Sequence, residues 1–395
     1  MDATALGGIL LAGGLGLFMY TYVAYPLLLA LCARIRGKRP NWPAPMEWPI
    51  VSFSLPVFNE ERQIRGALAS LLALDYPEDR RQVVVVSDAS TDNTDAIVAE
   101  YASAGVQLLR VPTRLGKTNA EAAATPYLRG EIVVNTDASI RMLPGTLKAL
   151  VAPFCDFSVG VASTRDISIS ASSAEANHVE GGYVGYEMLI RRLETSCGGI
   201  VGASGSGYAI RAELHRQSLP VHLSRDFASA LIAREHGLRA VSVDEAVCLV
   251  PRTPSLQAEY RRKVRTIARG METLWHERHL LNPIQFGSFA WKLWSHKVCR
   301  WLTPWALAPA ALGLITLATE HAWALAVSAV GALVAILGVL VVALRGRHKV
   351  PPVLAVIGSA LAANGAVLHA TVKGLRGDRS PTWEPTRREL RIGEP

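Results

Sequence analysis

Three stretches repeat one pattern: IVSFSLPVFNEE at residues 50–61, VVVVSDASTDNT at 83–94 and EIVVNTDAS at 131–139. In each, a β-prone apolar run ends in Asp, Asn, Glu or Ser. The pattern predicts strands at Ile50–Leu55, Val83–Ser87, Val106–Val111 and Glu131–Thr136, with helices between them at Glu60–Leu74, Thr94–Ala104 and Thr118–Leu128. Such alternation indicates an α/β fold with a mostly parallel sheet. Ligands of these sheets bind beyond the carboxyl ends of the strands, where the polar residues lie.

Two common nucleotide-binding motifs are excluded by spacing. The segment Pro56–Glu61 contains no glycine, so it cannot be the GxGxxG turn of a dinucleotide fold. The sequence GKT at residues 116–118 resembles the end of a P-loop, but Val111 stands where that loop needs its first glycine. The remaining interpretation is a nucleotide site built on carboxylates. Carboxylates beside the diphosphate of a nucleotide require a divalent cation between them, so we predict that Asp137 binds Mg²⁺ or Mn²⁺.

The apolar residues, half of the 395-residue chain, are concentrated at its two ends. Thr4–Ala33 has no charged residue and is followed by basic ones, which predicts a membrane span with its C-terminal side in the cytoplasm. Three further apolar runs follow at Val298–Ala318, Ala322–Leu344 and Val353–Val372. We therefore predict a transmembrane anchor (1–34), a cytoplasmic domain (35–280), an amphipathic interfacial helix (281–297), transmembrane helices (298–373) and a basic tail (374–395).

The tail conflicts with this count of spans. Three spans after a cytoplasmic domain place the tail outside, but it carries Lys373, Arg376, Arg379, Arg387, Arg388 and Arg391. Basic flanks favour the cytoplasmic side. Either one C-terminal run does not cross the membrane or the tail is an exception. The net charge of +8 thus lies largely near the membrane, and we do not expect a nucleic-acid partner.

The ordered motifs resemble those of family-2 inverting glycosyltransferases with the GT-A fold, of the membrane-bound, polysaccharide-synthesis type. The resemblance covers roughly residues 45–300 and rests on seven segments: PVFNEE (56–61), VVVSDASTDNT (84–94), RLGKTNA (114–120), EIVVNTDAS (131–139), GASGSGYAIR (202–211), SRDF (224–227) and RRKVRTIARG (261–270). It implies a GT-A (Rossmann-like) catalytic domain flanked by transmembrane helices.

The resemblance also implies a role for each matching residue. Asp226 stands at the position of the catalytic base, and Asp137 at the first acid of the DxD pair. The nucleotide-sugar site would comprise Pro56, Asn59, Glu60, Asp88, Lys117, Asp137, Arg262 and Arg265, with Lys263 as a further cation. Gly205, Ser206 and Gly207 would shape the acceptor side. A basic helix face on anionic lipid is the alternative for Arg261–Arg269, and a helix cap is the alternative for Asp226.

Two positions depart from the family pattern. The second acid of DxD is Ser139, so the predicted metal site consists of Asp137 assisted by a hydroxyl. The QxxRW signature of processive synthases is absent, because residues 262–266 read RKVRT.

The resulting prediction is an enzyme of a bacterial inner membrane, multi-pass, with a cytoplasmic catalytic domain. It would transfer a sugar from a UDP-sugar to a lipid-linked or growing glycan acceptor in polysaccharide biosynthesis. The bilayer is an expected partner, and polysaccharide export components could also bind. The alternatives are a processive synthase that extrudes its polymer and a non-catalytic scaffold of a polysaccharide synthesis machine.

Overall fold

The computed structural model describes residues 2–37, 41–169, 177–251, 256–344 and 351–378. Within them, one sheet has eight strands: β1 Val51–Val57, β2 Arg81–Ser87, β3 Val106–Arg110, β4 Ile132–Thr136, β5 Arg141–Met142, β6 Val159–Ile169, β7 Gly207–Arg211 and β8 Arg239–Pro251. Their spatial order is β3-β2-β1-β4-β7-β6-β8-β5. The four predicted strands form its parallel half, β3-β2-β1-β4, which confirms the α/β fold.

The second half of the sheet is mixed. Strand β7 runs antiparallel to both β4 and β6, β6 and β8 are parallel, and the short β5 pairs antiparallel with β8. The strand order reverses at β1, which has β2 and β3 on one side and β4 on the other. Such a reversal opens a crevice at the carboxyl ends of the two central strands, which is where ligands of open α/β sheets bind.

Helices pack on both faces of the sheet and also form the long apolar segments at the two ends of the chain. They are α1 Ala3–Arg36, α2 Ile64–Leu72, α3 Thr94–Ala99, α4 Lys117–Ala124, α5 Thr146–Val151, α6 Asn177–Ser196, α7 Ala212–His215, α8 Arg225–Glu235, α9 Leu256–His276, α10 Pro283–Phe286, α11 Ser288–Leu317, α12 Ala322–Leu344 and α13 Pro352–Leu375. Along β2, Val83 and Val85 belong to one buried cluster and Val84 and Val86 to another. Burial on both faces explains why this strand reads as a continuous apolar run.

Three helices in the described part of the chain are long and apolar enough to cross a membrane: Ala3–Arg36, Ser288–Leu317 and Ala322–Val341. The first two pack against each other through small residues. A Cβ added at Gly14 would lie 2.5 Å from the Cβ of Ala310, and one at Gly313 would lie 2.4 Å from the carbonyl oxygen of Gly7. Glycine at these points allows the close backbone approach typical of membrane helix pairs.

The C-terminal segments differ in detail from the predicted division. Helix α11 runs without a break from Ser288 to Leu317, so residues 288–297 of the predicted interfacial segment share a helix with the apolar run that follows. Helix α13 contains the third predicted run but is not among the three candidate spans. Its Ala366 and Ala370 are buried against Val264 of α9. Residues 379–395 of the predicted tail lie outside the described residues.

A buried polar network joins two of the candidate membrane helices to the domain that contains the sheet. Glu194 of α6 accepts hydrogen bonds from the hydroxyl of Tyr25 (2.6 Å) and contacts Nδ1 of His296 at 2.8 Å. Glu187, two helical turns earlier on α6, contacts Nε2 of His296 at 3.1 Å and the Arg300 guanidinium at 2.7 Å. Burial opposes a charge on Glu187, but His296 and Arg300 lower the pKa of this carboxyl well below its usual range. These contacts fix the orientation of α1 and α11 on the domain.

Candidate active site

The loops that follow β1 and β2 are held together at the crevice by side-chain hydrogen bonds. Asn59 and Ala89 adopt positive φ angles of 52° and 57°, which is uncommon for residues other than glycine and marks tight turns. The Asn59 carboxamide oxygen accepts the Thr91 N–H (2.7 Å), and the Glu60 N–H donates to the Thr94 hydroxyl (2.8 Å). The first predicted helix begins at Ile64 rather than at Glu60. Pro56, the remaining predicted contact of this loop, lies inside β1.

Asp88 connects these loops to the segment before α4. Its carboxylate is buried and accepts the backbone N–H groups of Leu115 (3.0 Å) and Gly116 (2.8 Å). Gly116 has φ 96°, a conformation that glycine adopts without the steric cost of a side chain. The arrangement orients α4 so that its first residue, Lys117, points to the end of β4. Contact between Asp88 and a nucleobase remains a prediction.

Lys117 forms an ion pair with Asp137, the residue that follows β4. Its Nζ atom lies 2.5 Å from Oδ1 of Asp137 and 3.9 Å from Oε1 of Glu121, one turn further along α4. Burial on its own lowers the pKa of Lys117, but the carboxylates of Asp137 and Glu121 raise it overall. The ammonium group therefore stays charged, and its contact with a sugar diphosphate remains a prediction.

The residues after β4 fit a hard divalent cation. Asp137 supplies a partly exposed carboxylate, and Ser139, buried two residues later, supplies a hydroxyl. Mg²⁺ and Mn²⁺ prefer oxygen ligands, and Mg²⁺ is commonly held by one or two carboxylates together with substrate phosphates and water. Asp137 would hold the metal, Ser139 would assist, and diphosphate oxygens would complete the coordination.

Asp226 lies beside the loop predicted to form the acceptor side. It sits in the first turn of α8, and its Oδ1 accepts a hydrogen bond from the Ser224 hydroxyl at 2.5 Å. A Cβ added at Gly205 would lie only 2.9 Å from Oδ2 of Asp226. Glycine at 205 therefore leaves the second carboxylate oxygen room at the loop.

The same loop adjoins Asp137 through the sheet. Gly207 begins β7 and pairs with Thr136 of β4, whose hydroxyl donates to the Ser206 carbonyl at 2.8 Å. The three predicted acceptor residues, Gly205, Ser206 and Gly207, thus lie between the predicted metal ligand Asp137 and the predicted base Asp226. The structure brings these two acids to one edge of the sheet although they are 89 positions apart in the sequence.

A buried residue absent from the sequence predictions links the two acids. Glu121 lies 3.9 Å from Lys117 and 3.5 Å from Nε of Arg225, the neighbour of Asp226. Burial raises the pKa of Glu121, and Lys117 and Arg225 oppose that rise. Lys117 and Glu121 are four residues apart on a predicted helix, so their contact could have been predicted from the sequence. The partner Arg225 could not be inferred from spacing.

Asp166 of β6 is a second residue that the predictions missed. Its Oδ2 accepts hydrogen bonds from the hydroxyls of Ser204 (2.6 Å) and Ser206 (3.1 Å), so it fixes the acceptor loop from below. Burial raises the pKa of this carboxyl. Behind the loop, a cleft of about 450 Å³ extends along α6, lined by Asp166 together with Arg165, Ile167, Ser168, Val184, Gly185, Met188, Leu189 and Arg192. Its lining combines basic, acidic and apolar side chains.

The basic run of α9 contacts the site through a residue that was not singled out. Arg262 donates to both carboxylate oxygens of Glu259 (2.9 and 3.0 Å), and Lys263 lies 3.6 Å from the same carboxylate. Arg269 instead donates to the Leu223 carbonyl (2.7 Å) and the Thr118 hydroxyl (2.9 Å), which ties α9 to the segment before Asp226. A diphosphate contact of Arg262 or of the partly buried Arg265 remains a prediction.

Comparison with known proteins gives a family match over the first part of the catalytic domain. The model described as "Glycosyl transferase family 2" matches residues 52–217. That range includes the β1 and β2 loops, Lys117, Asp137 and the acceptor loop. It ends nine residues before Asp226.

One solved structure and two curated relatives are also similar. The mannosyltransferase PcManGT from Pyrobaculum calidifontis, solved with GDP-Man and Mn²⁺, superposes with a TM-score of 0.72 at 24% identity over 96% of this chain and 100% of that one. A beta-monoglucosyldiacylglycerol synthase of Nostoc sp. is 27% identical over 169 residues, 42% of this chain and 36% of that protein. An N-acetylglucosaminyltransferase of Mesorhizobium japonicum is 34% identical over 125 residues, 30% and 29% of the two chains. The chain thus matches about a third of the length of these curated relatives.

Proposed function

Because residues 52–217 form a family-2 glycosyltransferase domain, we propose that this chain transfers a sugar from a nucleotide sugar to a lipid-linked or growing glycan acceptor, with inversion at the anomeric carbon. The observation that carries the proposal is the position of Asp226 beside the loop that also adjoins Asp137. One acid can face the diphosphate while the other faces the acceptor. The donor we propose is a UDP-sugar. The similar mannosyltransferase was solved with GDP-Man, so a GDP-sugar is the alternative donor to test.

The chemistry assigns one task to each group. Asp226 accepts the proton of the acceptor hydroxyl as that oxygen attacks the anomeric carbon, and the nucleoside diphosphate leaves from the opposite face. Lys117 offsets charge on the leaving diphosphate. A bound Mg²⁺ or Mn²⁺ would add Lewis-acid stabilisation of the same oxygens, held by Asp137 and Ser139. Glu121 and Arg225 keep the two halves of the site in register, and Asp166 keeps the acceptor loop in place.

The test is turnover of a donor panel. Purified full-length protein in detergent with Mn²⁺ is offered UDP- and GDP-sugars with a lipid acceptor extract, and release of the nucleoside diphosphate is measured. We expect one donor to be consumed, and chelation by EDTA to abolish the reaction. Absence of binding and turnover across the panel would favour the scaffold alternative, and products many sugars long would favour the processive one.

We also propose that the enzyme is a multi-pass protein of a bacterial inner membrane with its catalytic domain in the cytoplasm. Helices α1, α11 and α12 would cross the bilayer, and α13 would stay on the catalytic side. The support is the burial of Ala366 and Ala370 against Val264 of α9, because Arg269 ties α9 to the catalytic domain. With three crossings the basic tail lies inside, as basic flanks favour.

Accessibility labelling with a membrane-impermeant maleimide tests this arrangement. The native Cys155 is exposed on the catalytic domain, and Asp378→Cys and Thr319→Cys, each in a Cys155→Ser background, report the end of α13 and the turn between α11 and α12. We expect Cys155 and the cysteine introduced at 378 to react only after permeabilisation, and the one introduced at 319 to react in intact cells. Reaction at 378 in intact cells would show that α13 crosses the membrane.

A further inference from the structure

A group of metal-binding side chains lies at the far end of α8, away from the candidate active site. Glu235, Glu277 and His279 each place a ligand atom within 4.8 Å of the other two. Nε2 of His279 lies 2.7 Å from Oε1 of Glu235, and its Nδ1 lies 3.9 Å from Oε2 of Glu277. The three residues come from the last turn of α8 and from the turn that follows α9. They are therefore brought together by the tertiary fold rather than by a single helix.

Two carboxylates meet here in a partly buried setting. The Glu277 side chain is 9% exposed, against 30% for Glu235 and 49% for His279. His276 is the other charged or titratable neighbour, with Nε2 3.7 Å from Oε1 of Glu277. The two neighbouring carboxylates repel each other, and a cation bound between them would remove that repulsion. The two imidazoles beside them are further possible ligands.

The donor types select the class of cation. Imidazole nitrogen with carboxylate oxygen suits Zn²⁺ and related transition metals, whereas Mg²⁺ and Ca²⁺ prefer all-oxygen sites. Tetrahedral zinc with bonds of about 2.1 Å places its ligand atoms about 3.4 Å apart. The present contacts of 2.7 Å and 3.9 Å lie on either side of that value, and the exposed His279 and Glu235 are the side chains that would adjust to it.

We propose that Glu235, Glu277 and His279 bind a zinc-class divalent metal ion, with His276 in reach as a fourth ligand. This site is separate from the active-site cation and does not depend on the proposed transferase activity. Helix α8 begins at Arg225 and Asp226 and ends at Glu235, while the segment after Glu277 leads into α11. A metal ion bound here would tie the helix that carries Asp226 to the segment that enters the membrane.

Zinc binding by the full-length protein tests the proposal. Protein stripped with a chelator is titrated with Zn²⁺ alone against a chromogenic indicator, and its thermal unfolding is followed in parallel. We expect the zinc affinity of the site to fall at least tenfold in His279→Ala and in Glu235→Gln. It should be unchanged in Asp137→Asn. The matched control is His236→Ala, since His236 also lies at the end of α8 but contacts the Ile232 carbonyl instead.

Three outcomes are decisive. A zinc-dependent rise in melting temperature in the wild type and in His236→Ala, absent from both cluster variants, would support the site. Equal zinc affinity in the wild type, both cluster variants and His236→Ala would overturn it, because the ion would then bind elsewhere. Lack of zinc binding by the wild type at micromolar concentrations would overturn it as well. The exposed Glu235 variant keeps the test valid if His279→Ala does not fold.

Discussion

Replacing Asp226 by Asn is expected to lower kcat for sugar transfer about 1,000-fold while leaving the Kd of the nucleotide sugar within about twofold. The amide has nearly the volume of the carboxylate and can still accept the hydrogen bond of the Ser224 hydroxyl. It cannot take the proton of an acceptor hydroxyl, so the nucleophile remains weak. The effect should appear in kcat, since the donor binds at the other end of the loop.

The control for this substitution is Asp75→Asn, which also neutralises one carboxylate. Asp75 is an exposed residue paired with Lys148, remote from the loop at Gly205. We expect wild-type kcat from it. Initial rates at saturating donor, together with calorimetric binding of the nucleotide sugar, separate the two constants. Wild-type kcat in Asp226→Asn would show that another group removes the proton.

Asp137→Asn is expected to weaken Mn²⁺-dependent binding of the nucleoside diphosphate at least about 100-fold, because Asp137 is the one carboxylate of the predicted metal site. Ser139 occupies the position of the second acid and offers a neutral hydroxyl only. The substitution also deprives Lys117 of its partner at 2.5 Å. The measurement is a calorimetric titration of UDP or GDP with and without Mn²⁺.

The graded control is Ser139→Ala, for which we expect a loss of about tenfold or less, since a hydroxyl is the weaker ligand. Metal-free binding should be unchanged in Ser139→Ala and no weaker in Asp137→Asn, because that substitution frees Lys117 from its ion pair. Equal Mn²⁺ enhancement of binding in Asp137→Asn and the wild type would remove Asp137 from the metal site and leave Lys117 as the group that faces the diphosphate.

The parallel half of the sheet was predictable because its signals are local. Runs such as residues 83–86 are apolar throughout and are followed by Ser and Asp, and the intervening helices show helical periodicity. The second half was not predictable in the same way. Strand β7 enters the sheet between β4 and β6, and its antiparallel register with β4 is a pairing between segments about 70 residues apart. That register brings the acceptor loop to Asp137.

The candidate site also combines residues with a local sequence signal and residues whose contacts are distant in the chain. The residues at the strand ends were identified because polar side chains directly after an apolar run are visible in sequence. The buried partners Glu121 and Asp166 were missed, since their neighbours Arg225 and Ser204 are distant in the chain. The pairing of Arg262 with Glu259 was readable, because residues three apart on a helix are neighbours.

The position of α13 was also beyond prediction. Its composition is that of an apolar helix, and composition alone does not distinguish a lipid-facing helix from one that packs on another helix. Contact of Ala366 and Ala370 with α9 supplies the missing information. If α13 stays on the catalytic side, as proposed, the number of spans no longer conflicts with the basic tail.

The anomeric configuration of the transferred sugar tests the central claim most directly. The donor consumed in the panel, carrying an α-linked sugar, is incubated with wild-type protein, Mn²⁺ and acceptor, and the product is examined by NMR. A single displacement assisted by Asp226 predicts a β-linked product from the wild type and none from Asp226→Asn. A product that retains the α configuration, or a β product formed equally well by Asp226→Asn, would contradict the account.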